Sequence, residues 1–232
     1  MAQKPLLTEP ISYEDAGKYL ADIKDPDLLK VYETHLGGTF KANKLKNFVK
    51  KDGFSGLMFW FCLDNNNLFL ACEPKFDFQY KGDEIFSTNL EPTQKKLIIP
   101  GEKAFGHDLK NVTDFEGFVK NHSQPNHLQD KEIPKLKVKN FKLKFEKHDL
   151  YKNHQKYGHA YFENKNNYVK DFFSIEGLKN VRYYLGYGDS YKPNYIRVIL
   201  VPVDSVGNNI KLNKKEKKGE LLQKSFPPPP YQ

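Results

Sequence analysis

"EGLKNVRYYLGYGDSYKPNYIRVILVPVD", residues 176–204, decides the fold. Two runs rich in Val, Ile, Leu and Tyr, 181–187 and 195–201, flank a segment of Gly, Asp, Ser and Pro. β-Branched and aromatic residues suit a pleated, half-buried surface, and the residues between them are turn formers. The stretch therefore reads as an antiparallel hairpin. On alternation Arg182, Tyr184 and Gly186 share one face, and Val181, Tyr183 and Leu185 the other. A mid-strand arginine beside tyrosines, with Arg197 on the partner strand, suits a solvent-facing contact for a carboxylate or phosphate.

The same grammar stands earlier, in "DGFSGLMFWFCLDNNNLFLACEP", residues 52–74. Apolar runs at 54–63 and 68–72 flank Asp64-Asn65-Asn66-Asn67, a second hairpin with a short loop. Lys46 and Lys170, Phe48 and Phe172, and Gly53 and Gly177 are each 124 residues apart. After a longer second loop, Leu70, Cys72 and Pro74 meet Val198, Leu200 and Pro202. Upstream, Ile11, Asp27, Leu28, Lys30 and Phe40 recur as Ile133, Asp149, Leu150, Lys152 and Phe162. The order of features argues for an internal repeat more than the sparse identity does.

Each half then reads as a long amphipathic helix, a linker, a short helix and a hairpin. Ala16, Tyr19, Leu20 and Ile23 have helical spacing. "KLKVKNFKLKFEK", residues 135–147, alternates like a strand, but Val138, Phe141 and Phe145 also fit a helix, and the repeat favours the helix. The short helices are expected near 43–51 and 165–174. Between the halves, Lys96–Ile99 reads as a strand, Thr113 and Glu116 have capping-box spacing, and 121–134 reads as a polar linker. The expected fold class is α+β, in two similar halves, packed as one unit or as two small domains. The boundaries are 1–74 for the first half, 75–132 for the connection, 133–210 for the second half and 211–232 for a basic and Pro-rich tail.

Gly177, "VRYYLGY" and "IRVILVPVDSVGNNI" resemble small proteins common in Bacteroidetes. Those carry a G-[VI]-R-x-Y-x-G strand, a turn, a strand like AILVGVDENGND, and often a Pro-rich C-terminus. The resemblance covers 160–232 best and 40–75 more loosely. Met58 stands where the pattern's arginine, Arg182, stands in the second half. The resemblance implies the module and supplies no catalytic residues.

The chain has 232 residues and a formal charge of +8, carried almost wholly by lysine, since Arg182 and Arg197 are the only arginines. Lysine is a hydrated point charge, whereas arginine reads phosphates and bases bidentately, so this balance fits a solvated surface at least as well as nucleic-acid recognition. Lys135, Lys137, Lys139, Lys142, Lys144 and Lys147 form a dense basic segment, and Tyr183, Tyr184 and Tyr187 are candidate stacking platforms for bases. Cys62 and Cys72 lie in apolar strands and read as buried thiols. His148, His154 and His159 are spaced too unevenly to share a helical face, so no metal and no cofactor is expected. No serine sits in a nucleophile elbow, and "GYGDS" joins two strands instead of opening a helix.

The N-terminus lacks an apolar leader core and no run approaches a bilayer span, so no membrane partner and a cytoplasmic location are expected. The chain ends in "SFPPPPYQ", where Pro228, Pro229, Pro230 and Tyr231 spell a WW-ligand pattern. The polyproline run serves equally as a stiff strap or a contact for a neighbouring subunit, anchored by Leu221, Leu222 and Phe226. The functional expectation is a non-enzymatic interaction or self-association module, with Arg182, Tyr184, Arg197 and Tyr231 as candidate ligand or partner contacts. Two alternatives stand beside it: an enzyme with an unconventional site in the cleft between the halves, and a lysine-rich nucleic-acid-binding protein.

Overall fold

A computed structural model describes residues 8–21, 23, 25–65, 67–77, 90–100, 102–104, 130–152, 158–188, 195–210 and 221–224. Both hairpins are present: β3 (Phe54–Asp64) with β4 (Asn67–Phe76), and β9 (Asn180–Gly188) with β10 (Tyr195–Val203). The class is α+β, with antiparallel strands in two sheets. Each hairpin heads its own sheet. The first sheet runs β1 (Glu9–Ile11), β11 (Leu221–Lys224), β10, β9, β2 (Gly37–Lys41) and β6 (Glu102–Ala104). The second runs β7 (Lys131–Pro134), β5 (Lys96–Ile99), β4, β3 and β8 (His159–Glu163).

Two segments read as linkers contain strands. β2 and β8 are short, and their five-residue runs carry too few alternations to stand out from loop. Each is added to the other hairpin: β2 pairs with β9, and β8 with β3. Phe40 faces Val181 as Phe162 faces Leu57, and Gly37 faces Tyr184 as His159 faces Trp60. The expected polar linker at 121–134 likewise ends in β7, which pairs with β5. Thr113 and Glu116 lie outside the described residues.

The expected long helix of the first half is two helices, α1 (Tyr13–Ala21) and α2 (Pro26–His35). Asp25 breaks them apart, because its carboxylate accepts from the Asp27 and Leu28 amides as a helix N-cap and Pro26 fills the first turn. Ser12 caps α1 in the same way, accepting from the Asp15 amide. The ambiguous lysine-rich stretch is helix α4 (Lys135–Lys147), followed by α5 (Asp149–Lys152). The short helices are α3 (Ala42–Val49) and α6 (Tyr168–Phe173), which pack against each other. Gly53 and Gly177 both take positive φ, +71° and +77°, and open the approach to their hairpins in a backbone region that disfavours other residues.

The sheets stack face to face. Leu57, Phe59, Phe61 and Leu70 of one meet Phe40, Val181, Tyr183 and Val198 of the other in one core. The Phe40 and Phe59 rings lie 5.9 Å apart across it, and the Tyr183 hydroxyl accepts from the Leu70 amide at 3.3 Å. The outer faces are covered by helices, α1 on β9 and α4 on β3. No helix among the described residues is long and apolar enough to cross a membrane.

Candidate functional site

The alternation read for β9 is correct, but its solvent face is not. A Cβ placed on Gly186 would lie 3.0 Å from the Tyr19 Cβ, so α1 covers the face that Arg182, Tyr184 and Gly186 share. Arg182, Tyr184 and Arg197 are all buried. The Arg197 guanidinium stacks 4.1 Å above the Tyr19 ring, a cation–π contact that explains how this charge tolerates burial. The Arg182 Nη1 is buried and hydrogen-bonded to nothing. These three residues form part of a packed layer, not an open strand face. Tyr231 lies outside the described residues. The tyrosine platforms are also buried, since Tyr183, Tyr184 and Tyr187 are 1%, 0% and 6% exposed and offer no ring to a base. Leu221 is buried in β11, which places this anchor in the first sheet.

The histidines do not converge. His148 caps α4 and accepts from the Leu150 amide at 3.3 Å through Nδ1. His159 is buried in β8 with its ring 5.4 Å from that of Trp60. His154 lies outside the described residues, among which no group of three His, Cys, Asp or Glu side chains is placed to hold a metal. Cys62 and Cys72 are free thiols in different packing layers, Cys62 beneath α4 and Cys72 between the sheets. Burial pushes both thiols up, which leaves them protonated and inert.

A charged layer that the sequence reading passed over lies between the second sheet and α4. Glu73 is fully buried on β4. Its carboxylate accepts from Trp60 Nε1 at 3.1 Å, Lys75 Nζ at 2.6 Å, the Thr93 amide at 2.9 Å and the Gln94 amide at 2.8 Å. Those four donors supply what water would have supplied, so the charge is tolerated there. Lys75 is 3% exposed, and desolvation lowers its pKa although Glu73 opposes the shift. Lys142 of α4 is likewise buried and pairs with Glu146 at 3.0 Å. Both ammonium groups lie within 6 Å of the Trp60 ring centre, Lys75 at 5.7 Å and Lys142 at 5.8 Å. The hint in the sequence was "ACEPK", in which two charges continue the parity of an apolar strand. Glu73 and its donors tie this layer together beneath α4.

What α4 presents outward is different. Val138, Lys142 and Phe145 point inward, and Leu136, Lys137, Asn140, Leu143, Lys144 and Lys147 are exposed. Leu136 is 67% exposed and Leu143 39%, two turns apart on one face. Lys139 pairs with Glu91 at 2.6 Å and Lys144 with Asp64 at 3.3 Å. Lys135, Lys137 and Lys147 make no ion pair among the described residues. The helix carries six lysines against one glutamate.

No family model matches the chain, and no curated protein or solved structure matches it.

Proposed function

We propose that the protein is a non-catalytic binding module whose contact surface is the outer face of α4. Its partner is an acidic, amphipathic segment of a different protein. The carrying observation is the pair Leu136 and Leu143, exposed side by side on a helix of like charge. Two leucines at seven-residue spacing stand about 10 Å apart, the distance at which a partner helix presents two successive apolar side chains. Burying each recovers roughly 1–2 kcal/mol, and the lysines around them favour carboxylates on the partner. A second copy of this chain is a poor partner for this face, because it would set lysine against lysine.

Nucleic acid is disfavoured by the same residues. Exposed leucines gain little from a phosphate backbone, and the tyrosines that would stack on bases are buried.

The test uses a display library of helical peptides selected on the immobilised protein. The reading expects enrichment of Asp- and Glu-rich sequences with apolar residues at i and i+7. Leu136→Asp with Leu143→Asp should abolish that enrichment. No enrichment, or enrichment that survives the double substitution, refutes the assignment. Retention of single-stranded DNA at physiological salt, equal in the wild type and the variant, would replace it with the nucleic-acid reading.

We also infer that the chain is an internal duplication whose halves exchange a strand and a helix. What supports it is the shared register of the β2–β9 and β8–β3 pairs and the pairing of α1 with β9 and α4 with β3. The binding face would then belong to one half only. Co-expression of 1–120 with 121–232, which leaves β7 whole, tests this reading. A folded two-chain complex is expected, with neither piece folding alone, and independent folding of either piece contradicts it.

A further inference from the structure

The C-terminal turns of α3 and α6 lie side by side and leave a cleft of about 210 Å³. Lys46, Val49 and Lys50 line one wall, and Lys170, Phe173 and Ser174 the other. Three of these six residues are lysines and none is acidic. Lys46 Nζ donates to the Leu178 carbonyl at 3.0 Å, which fixes its position. Among the described residues, none of the three ammonium groups pairs with a carboxylate. Lys46 is shifted toward the neutral form by burial and then by the charges of Lys179 and Lys50, as expected where positive charge is in excess.

The simplest structural reason for lysines here is the negative end of a helix dipole. It is not large enough. Each helix terminus is worth about half a unit charge, so two of them offset roughly one of the three ammonium groups. The last-turn carbonyls are also in use. That of Lys46 accepts from the Lys50 amide at 3.2 Å, that of Phe48 from the Lys51 amide at 3.1 Å, and that of Lys170 from the Ser174 hydroxyl at 2.8 Å.

We propose that this cleft binds a small phosphomonoester, with Lys46, Lys50 and Lys170 around the phosphoryl oxygens and Val49 and Phe173 against the carbon skeleton. Both apolar residues are buried, 5% and 4% exposed, and form a fixed wall. The cleft has room for several waters, enough to take a phosphoryl group with a short carbon chain. The site is independent of the α4 face.

The experiment is an amide NMR titration of the full chain at constant ionic strength, with inorganic phosphate in one arm and glycerol phosphate in the other. Saturable shifts confined to residues 46–51 and 170–175 are expected, with glycerol phosphate binding at least threefold more tightly. Lys50→Met with Lys170→Met should weaken binding tenfold or more. Lys46→Met should do the same, but it also removes the bond to Leu178, so the first pair of substitutions decides if that variant misfolds. Lys137→Met with Lys147→Met on α4 should change nothing. Shifts that do not saturate, that spread to α4, or that persist in the cleft variants overturn the site. Equal affinity for the two anions overturns the phosphomonoester assignment.

Discussion

α1 lies on β9 and buries Ala16, Gly17 and Leu20, and α4 lies on β3 and buries Lys142 between Val138 and Phe145. Outward they differ. On α1, Lys18 bonds to Glu14 at 2.8 Å and approaches Asp15 at 3.6 Å, so that surface neutralises itself. On α4, lysines repeat with little acid between them and two leucines stand in water. Inward they differ again. Beneath α4 every buried charge has a partner, with Glu73 at the centre of four donors. Beneath α1, Arg197 rests on Tyr19 and Arg182 leaves Nη1 unbonded. The α1 layer is closed outside and leaves Arg182 Nη1 unbonded inside, whereas the α4 layer is held by Glu73 and its donors inside and is open outside. A helix that is to hold a partner needs a firm seat, and α4 has the firmer one.

The largest effect should come from breaking that seat. Glu73→Ala takes the carboxylate from the buried Lys75 ammonium, which keeps its bond to Thr93 Oγ1 at 3.1 Å, and leaves Trp60 and two backbone amides without this acceptor. Urea unfolding should report a loss of about 3–5 kcal/mol. The matching place in β10 holds Val201, where a buried apolar residue needs no such partners.

Next comes an exchange between the layers. Met58 and Arg182 hold matching places, each facing its added strand, Met58 opposite Tyr161 and Arg182 opposite Thr39. Met58→Arg brings a second buried cation opposite Glu73, whose carboxylate four donors already hold, and should cost about 3 kcal/mol or more. Arg182→Met removes a buried charge with an unbonded donor and should be neutral or stabilising by about 1 kcal/mol. A destabilised Arg182→Met protein would mean that Arg182 has work the packing does not reveal.

Alkaline unfolding sharpens the comparison on the α4 side. Burial pushes Tyr161 and Tyr151 up to about 12 from an ordinary value near 10. A raised tyrosine favours the folded state fully below pH 10, and its contribution falls away as pH climbs to about 12. Stability should decline across that window by up to about 2–3 kcal/mol for each group. Tyr161→Phe should flatten the decline, and an unchanged slope would remove Tyr161 from the account. A smaller effect is expected beneath α1. Tyr19→Leu removes the ring under Arg197 and should cost about 1 kcal/mol in thermal unfolding. Smallest of all, Leu136→Asp should leave stability within about 0.5 kcal/mol, because that side chain is 67% exposed, and Leu143→Asp, 39% exposed, should cost somewhat more.

Much of this was legible in the sequence. The hairpins declared themselves by composition, and α4 by the spacing of Val138, Phe141 and Phe145 against a misleading lysine alternation. The exchange of β2 and β8 was not legible, because pairing partners far apart in sequence leave no mark on either strand alone. The burial of Arg182 and Arg197 was missed for a different reason. Alternation assigns residues to a face and does not say what covers it. An arginine over a tyrosine reads as a wet surface until Tyr19 is seen lying against it. The leucines of α4 were in view from the start, but only the inward packing of Val138 and Phe145 fixes which side they face.

The central claim is that α4 offers the working surface and α1 does not. It can be tested by placing a photo-crosslinking residue at Asn140 on α4 and, in a second protein, at Lys18 on α1, both exposed. Irradiation is carried out in the cell that makes the protein, and adducts are mapped by mass. The account predicts an adduct at position 140 that maps to an acidic segment of another protein and disappears with Leu136→Asp and Leu143→Asp, and no comparable adduct at position 18. Equal crosslinking from both helices, or an adduct from position 18 alone, would contradict it.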